Sequence, residues 1–210
     1  MSQFLVNFKY TKIKIISRVM NEKIVSENFS LSRYTTIKVG GVAEYFAEPK
    51  NINEFLHLIK WSKLNKQKCQ IIGAGSNLLI NNISIKGLII CTKKMKSFMI
   101  NPNSGVVEAE AGVMLPTLSS SLAKNRLQGG EWAIGIPGTI GGAIYMNAGT
   151  GELSLAKNLI SVQVINNKTL KKFEIKKKDI NFTYRFSSFQ NNDLAIISAK
   201  LRFKPNGNLE

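Results

Sequence analysis

Apolar residues recur at helical spacing in two stretches of the chain and form short or alternating runs elsewhere. Asn51, just past Pro49, is placed to begin a helix, with Glu54 as its capping-box partner. Ile52, Phe55, Leu56 and Ile59 form the apolar stripe of that helix, and His57 falls off it. A second helix is predicted over 115–125, with Leu115, Leu118 and Leu122 on one face. Strands are predicted at 44–48, 71–72, 88–91, 106–111, 159–165, 170–175 and 194–203. Turns fall at 101–105 (NPNSG) and 166–168, a short helical turn at 177–180, and the last strand ends at Lys204-Pro205-Asn206-Gly207. From residue 44 to 91 the order is strand, helix, strand, loop, strand, a compact α+β unit. There is no internal repeat and no low-complexity linker.

Two glycine-rich stretches break this pattern. The longer, GGEWAIGIPGTIGGAIYMNAG at 129–149, is otherwise almost wholly apolar, and Glu131 is its only charge. A packed helix would use Ala, because each interior Gly costs about 1 kcal/mol against Ala. Glycine among Ile, Trp, Met and Tyr leaves two readings open. The backbone presses either against a large flat ligand or against another element of the fold. Thr139, after Pro137 and Gly138, is placed to cap a short helix at 140–146. The second stretch, QIIGAGSNLLI at 70–80, sets Gly73-Ala74-Gly75-Ser76-Asn77 between two apolar runs. Successive N–H groups in such a loop form an anion site, and Ser76 and Asn77 can add side-chain donors. Leu78 stands where a dinucleotide fingerprint needs its third glycine, and no Gly-Lys-Ser/Thr follows. The pair of stretches suggests two loops closing on one extended phosphate-containing ligand.

Composition adds bounds. A chain of 210 residues holds one domain or two small ones, and 44% hydrophobic residues is ordinary for a soluble protein. No apolar run approaches the roughly 18 residues that suggest a membrane span. The N-terminus lacks a signal-peptide core and cleavage site, so a cytoplasmic protein is expected, with Met20 as an alternative start. The formal charge of +16 comes from lysines scattered along the chain. Their densest cluster, KKFEIKKK at 171–178, is explained equally well as a protected edge strand, so no dedicated nucleic-acid site is assigned. The positive field also favours an anionic nucleotide substrate. Cys69 and Cys91 read as buried free thiols. His57, the single histidine, reads as a solvated helix residue, and no metal site is expected.

GAGSNLLI, then GIPGTIGGAIYMNAG, then Tyr184-Arg185-Phe186-Ser187-Ser188-Phe189, preceded by Thr35-Thr36-Ile37-Lys38-Val39-Gly40-Gly41, occur in one family's order. The chain resembles the UDP-N-acetylenolpyruvoylglucosamine reductases, flavoenzymes of peptidoglycan precursor synthesis, over about 28–203. The resemblance implies an α+β, two-subdomain FAD-binding fold of the vanillyl-alcohol-oxidase (PCMH) type. Residues 1–27 would be an N-terminal extension, 28–92 the first subdomain and 93–204 the second. Residues 205–210 would begin a linker to a further substrate domain.

FAD would be held non-covalently, since His57 is not placed like a flavin-linking histidine. By the same match, Gly73, Ala74, Gly75, Ser76, Asn77 and Leu78 would bind it, with Gly135, Ile136, Pro137, Gly138, Thr139, Gly141 and Gly142. Gly75→Val and Gly141→Val are expected to remove flavin selectively. NADPH would be the reductant and a UDP-sugar enolpyruvyl ether the substrate, in a cytoplasmic monomer. Arg185 would be catalytic, steadying the enol-like intermediate, with Tyr184 beside it at the substrate and Ser187 and Ser188 structural. Read from the residues alone, Arg185 is better explained as a surface guanidinium packed on rings. The family's proton-donating Ser and its supporting Glu belong to the further domain, and Glu131 and Glu152 lie in other motifs. The chain is therefore expected to hold FAD and to turn over poorly. The alternatives are another non-covalent flavin oxidoreductase of this fold, a flavin-binding fragment without turnover, and a basic binding module.

Overall fold

The computed structural model describes residues 24–205. Most of the N-terminal extension, Met20 included, and the Asn206-Gly207 turn lie outside them. The first sheet has four strands. Strand β1 (Val25–Ser30) runs antiparallel to β2 (Val42–Ala47), pairing Val25 with Ala47, so pairing begins before residue 28. Helix α1 (Ile52–Leu64) leads from β2 to β3 (Cys69–Ile72). Strand β4 (Ser84–Cys91) lies between β2 and β3, parallel to both. Its last five residues are all buried, which is why it reads as a continuous apolar run.

Helix α1 starts as its sequence requires. Asn51 Oδ1 accepts the Glu54 N–H at 2.9 Å. The reciprocal bond is displaced by one residue, because the Glu54 carboxylate accepts the Lys50 N–H at 2.8 Å rather than that of Asn51. Phe55, Leu58 and Ile59 are the buried face, against Leu88 and Ile90 of β4. Leu56 is half-buried and His57 exposed.

The chain continues through β5 (Phe98–Asn101) and β6 (Val106–Glu110), helix α2 (Leu115–Lys124) and helix α3 (Ile140–Tyr145). It then forms β7 (Leu159–Asn166), β8 (Lys172–Lys176), the short hairpin β9 (Phe182–Thr183) and β10 (Phe186–Ser187), and β11 (Leu194–Arg202). Strands β8-β7-β11-β6-β5 make an antiparallel sheet in that order. Leu118, Leu122, Ile140 and Ile144 cover one face, packing with Val107, Val162 and Leu201. Ile165, Ala195 and Ile197 belong instead to the cluster around Phe55 and Leu88. The second sheet is therefore covered on both faces.

Strand β8 starts later than its apolar pattern suggests. Leu170 adopts φ +61, and its N–H closes the turn on the Asn166 carbonyl at 2.8 Å. The lysine-rich segment is the edge strand of the larger sheet, where charge opposes addition of another strand. Neither cysteine is in a disulfide, and burial pushes both thiols up to about 11. At pH 8 iodoacetamide is expected to label them about a hundredfold more slowly than in the unfolded chain, because the thiolate reacts. Mass spectrometry with and without urea checks this, and equal rates would contradict it.

Candidate functional site

Strand β3 delivers Gly73 to the edge of the first sheet. There the Cys91 thiol donates to the Gly73 carbonyl at 3.4 Å, and the Thr92 hydroxyl donates to the Ile72 carbonyl at 3.2 Å. Gly75 turns the loop at φ +69. The N–H groups of Thr36 and Leu78 both donate to its carbonyl at 3.4 Å. Among the described residues, the N–H groups of Ala74, Ser76 and Asn77 have no protein acceptor. Ala74 and Ser76 are half-buried, and Asn77 and Leu78 are exposed.

The second glycine stretch lies alongside residues 111–115. The Leu115 N–H donates to the Gly138 carbonyl at 2.9 Å, and the N–H groups of Ile140 and Gly141 donate to Val113 and Ala111 at 2.8 Å. Thr139 is buried and caps α3, its Oγ1 accepting the Gly142 N–H at 3.3 Å. Pro137 is exposed, and half-buried Ile136 packs on the main core. The two stretches meet. A Cβ built on Gly73 would lie 2.4 Å from Thr139 Oγ1, and one on Gly138 would lie 3.6 Å from Ser76 Oγ.

The glycines divide into two groups. A Cβ on Gly75 would sit 1.8 Å from the Tyr34 carbonyl oxygen, and one on Gly141 would sit 3.0 Å from Ala111 Cβ. The Gly75 position is closed by the protein itself and the Gly141 position is tight against Ala111, so Gly75→Val and Gly141→Val, expected to remove flavin selectively, would disturb packing as well. Among the described residues, and apart from its own helix backbone, Gly142 meets only Thr139 Oγ1, at 3.4 Å, and Gly135 has nothing within 4 Å of its Cβ direction. The segment that closes Gly75 is itself pinned. The Tyr34 hydroxyl donates to Glu48 at 3.0 Å, and Lys94 pairs with the same carboxylate oxygen at 2.9 Å. Burial, then the Glu48 hydrogen bond, pushes the Tyr34 phenol up to about 12.

Tyr184 and Arg185 are the two turn residues of the β9–β10 hairpin. Tyr184 is 93% exposed, and Arg185 is exposed at φ +54. Among the described residues the guanidinium meets no carboxylate and lies over no ring, so the packed-guanidinium reading is not what the structure shows. The hairpin hangs on the C-terminal end of α3. Ser187, fully buried, donates to the Tyr145 carbonyl at 2.8 Å. Gln190 Nε2 donates to the same carbonyl at 2.9 Å and to that of Arg185 at 3.2 Å. Asn147 Nδ2 donates to the Thr183 carbonyl at 2.8 Å. Asn147 and Gln190 were not singled out from the sequence; their partners are distant in the chain. Helix α3, six residues and about 9 Å long, thus joins the glycine stretch to the Arg185 turn.

Glu131 is occupied locally, accepting the Gly129 N–H at 2.9 Å. A cavity of about 510 Å³ lies beside α2, lined by Arg126, Gln128, Glu131 and Ile134 among others. Of the glycine stretch it takes in Gly130, Glu131 and Ile134, and none of 135–149. No cluster of His, Cys, Asp and Glu suited to a metal occurs among the described residues. No helix among them is long and apolar enough to cross a membrane.

Two α+β units meet at their glycine loops, in the FAD-binding fold of the vanillyl-alcohol-oxidase type that the family match and the solved neighbours support. The chain belongs to the FAD binding domain family, whose model matches residues 43–169. It is 68% identical over 184 residues to a UDP-N-acetylenolpyruvoylglucosamine reductase of Prochlorococcus marinus subsp. pastoris, covering 88% of this chain and 62% of that protein. The solved reductase of the same name from Thermus caldophilus superposes with TM-score 0.70 at 25% identity, over 87% of this chain and 62% of that one. An alkyldihydroxyacetonephosphate synthase shares the fold at TM-score 0.65 and 13% identity, over 92% of this chain and 40% of that one. The chain spans about three fifths of the length of the curated relatives it matches first.

Proposed function

We propose that the chain binds FAD without a covalent link and serves the NADPH-driven reduction of UDP-N-acetylglucosamine enolpyruvate to UDP-N-acetylmuramate. The observation that carries this reading is α3, which ties a glycine stretch open to a ligand at one end to an arginine without an ion-pair partner among the described residues at the other. The 68% identical relative bears the name of that reductase. In this reading residues 28–92 and 93–204 are the two subdomains of the flavin site, and the protein acts as a monomer in the cytoplasm.

The residues fit the cofactor. The N–H groups of Ala74, Ser76 and Asn77, without an acceptor among the described residues, suit a diphosphate. The open Cβ directions at Gly135, Gly138 and Gly142 let the backbone approach a flat ring system, with Ile136, Pro137 and Thr139 shaping the same wall. Leu78 bounds the diphosphate side, while Gly73, Gly75 and Gly141 let the loops close. Bound FAD supplies the hydride exchange between a nicotinamide and the enolpyruvyl ether. Arg185 offers a planar, permanently charged fork to the substrate carboxylate, onto which negative charge is pushed as the double bond is reduced. Tyr184 presents a ring and a hydroxyl beside it.

The test uses the flavin-loaded protein. FAD is expected in the supernatant after acid precipitation, and the enolpyruvyl nucleotide is expected to perturb the flavin absorbance on titration. Flavin retained in the pellet, or a spectrum indifferent to the nucleotide, would overturn the reading.

A further inference from the structure

Arg185 holds a conformation that residues with a side chain adopt rarely, and its guanidinium finds no partner among the described residues that would explain it. The hairpin around it has only two residue pairs, Phe182–Ser187 and Thr183–Phe186, too few to be stable alone. The restraint comes from outside the hairpin. At the end of α3, Asn147 adopts φ +44. Its N–H donates to the Ile144 carbonyl at 3.3 Å, and the Ala148 N–H donates to Ala143 at 2.8 Å. That closure leaves the Tyr145 carbonyl to be satisfied by side chains. Ser187 and Gln190 both satisfy it, and Gln190, through the same nitrogen, also holds the Arg185 carbonyl, which Ser187 does not reach. Asn147, from the helix side, holds the carbonyl of Thr183, the residue before the turn. Two side-chain amides thus bracket Tyr184 and Arg185.

We propose that Gln190, assisted by Asn147, is a positioning residue that locks the Arg185 turn onto the end of α3. Among the described residues the side chain of Gln190 works only as a donor, to two carbonyl oxygens and, at 3.7 Å, to the Met146 sulfur. Glutamate has the same shape but only acceptors, which would face those oxygens. Lysine is less alike in shape but retains donors that can meet both. The consequence for substrate rests on the role given to Arg185 above.

The experiment compares the flavin-loaded protein with its Gln190→Glu and Gln190→Lys variants. The first readout is early trypsin cleavage after Arg185, relative to cleavage after Lys171 beside the other hairpin, by mass spectrometry. The second is the affinity for FAD, and the third the affinity for the enolpyruvyl nucleotide by flavin absorbance. Gln190→Glu is expected to raise relative cleavage after Arg185 about tenfold and to weaken the nucleotide about tenfold, with FAD affinity unchanged. Gln190→Lys should recover most of both effects. Cleavage unchanged in Gln190→Glu would overturn the proposal. So would equal losses of FAD and nucleotide affinity, or a Gln190→Lys protein as impaired as Gln190→Glu. If Gln190→Glu frees the turn while the parent protein ignores the nucleotide, the lock stands and the substrate assignment falls.

Discussion

Arg185→Ala is expected to keep its FAD and to slow oxidation of the reduced flavin by the enolpyruvyl nucleotide by about 10²–10³-fold, the usual effect of removing one donor aimed at developing charge. The structure separates this loss from any loss of fold. Arg185 is exposed, and its side chain makes no ion pair among the described residues. Such a surface substitution ordinarily changes stability by no more than about 0.5 kcal/mol. Arg185→Gly should be at least as stable as the parent, because φ +54 costs glycine almost nothing. Arg185→Lys should restore only part of the rate, since an ammonium cannot present two parallel donors to a carboxylate. Stopped-flow reoxidation under anaerobic conditions, beside a thermal melt, decides the matter. A melt lowered in Arg185→Ala, or a rate left unchanged, would return Arg185 to the surface.

Glycine substitutions should split into two classes of outcome. Gly142→Val is expected to fold and to lose FAD affinity by at least about a hundredfold, roughly 2.7 kcal/mol. Its new side chain would stand in the space assigned to the cofactor, with Thr139 Oγ1 the one atom outside its own helix backbone within 4 Å of its Cβ among the described residues. Gly138→Val should behave likewise, its nearest neighbour being Ser76 Oγ at 3.6 Å. Gly75→Val should instead unfold the first sheet. Its Cβ would lie 1.8 Å from the Tyr34 carbonyl, at φ +69, and the strain should exceed about 3 kcal/mol. Circular dichroism and flavin content are measured on the same samples. Full flavin in Gly142→Val would remove the cofactor from that face of α3.

The sequence carried the helices well, because their signals are local. Asn51 with Glu54, Thr139 before Ile140, and the Leu115, Leu118 and Leu122 stripe all describe neighbours within a turn or two. Strand β1 was missed for the opposite reason. As an edge strand it half-buries only Val25 and Phe29, so no alternation shows. Strand β5 is four residues long, and its Met99 is 70% exposed. The meeting of the two glycine loops was expected, but not which glycines face outward. A glycine pressed on its own backbone and a glycine pressed on a ligand look alike in a sequence. Asn147 and Gln190 were invisible for a further reason. Each is defined by a carbonyl 36 or 45 positions away, and nothing in a polar residue announces a distant partner.

Helix α3 also sets a tolerance on how this segment can vary. Its six residues are fixed at one end by Thr139 and at the other by Ser187 and Gln190. Adding or deleting one residue would advance the far end by about 1.5 Å and swing it by about 100°. Substitutions can be absorbed by repacking, but a change of length cannot, because both ends are indexed to other parts of the chain. The segment works like a keyed shaft: insertions and deletions belong in the surface turns, while between Thr139 and Asn147 the register itself is the conserved quantity to be expected in any working variant.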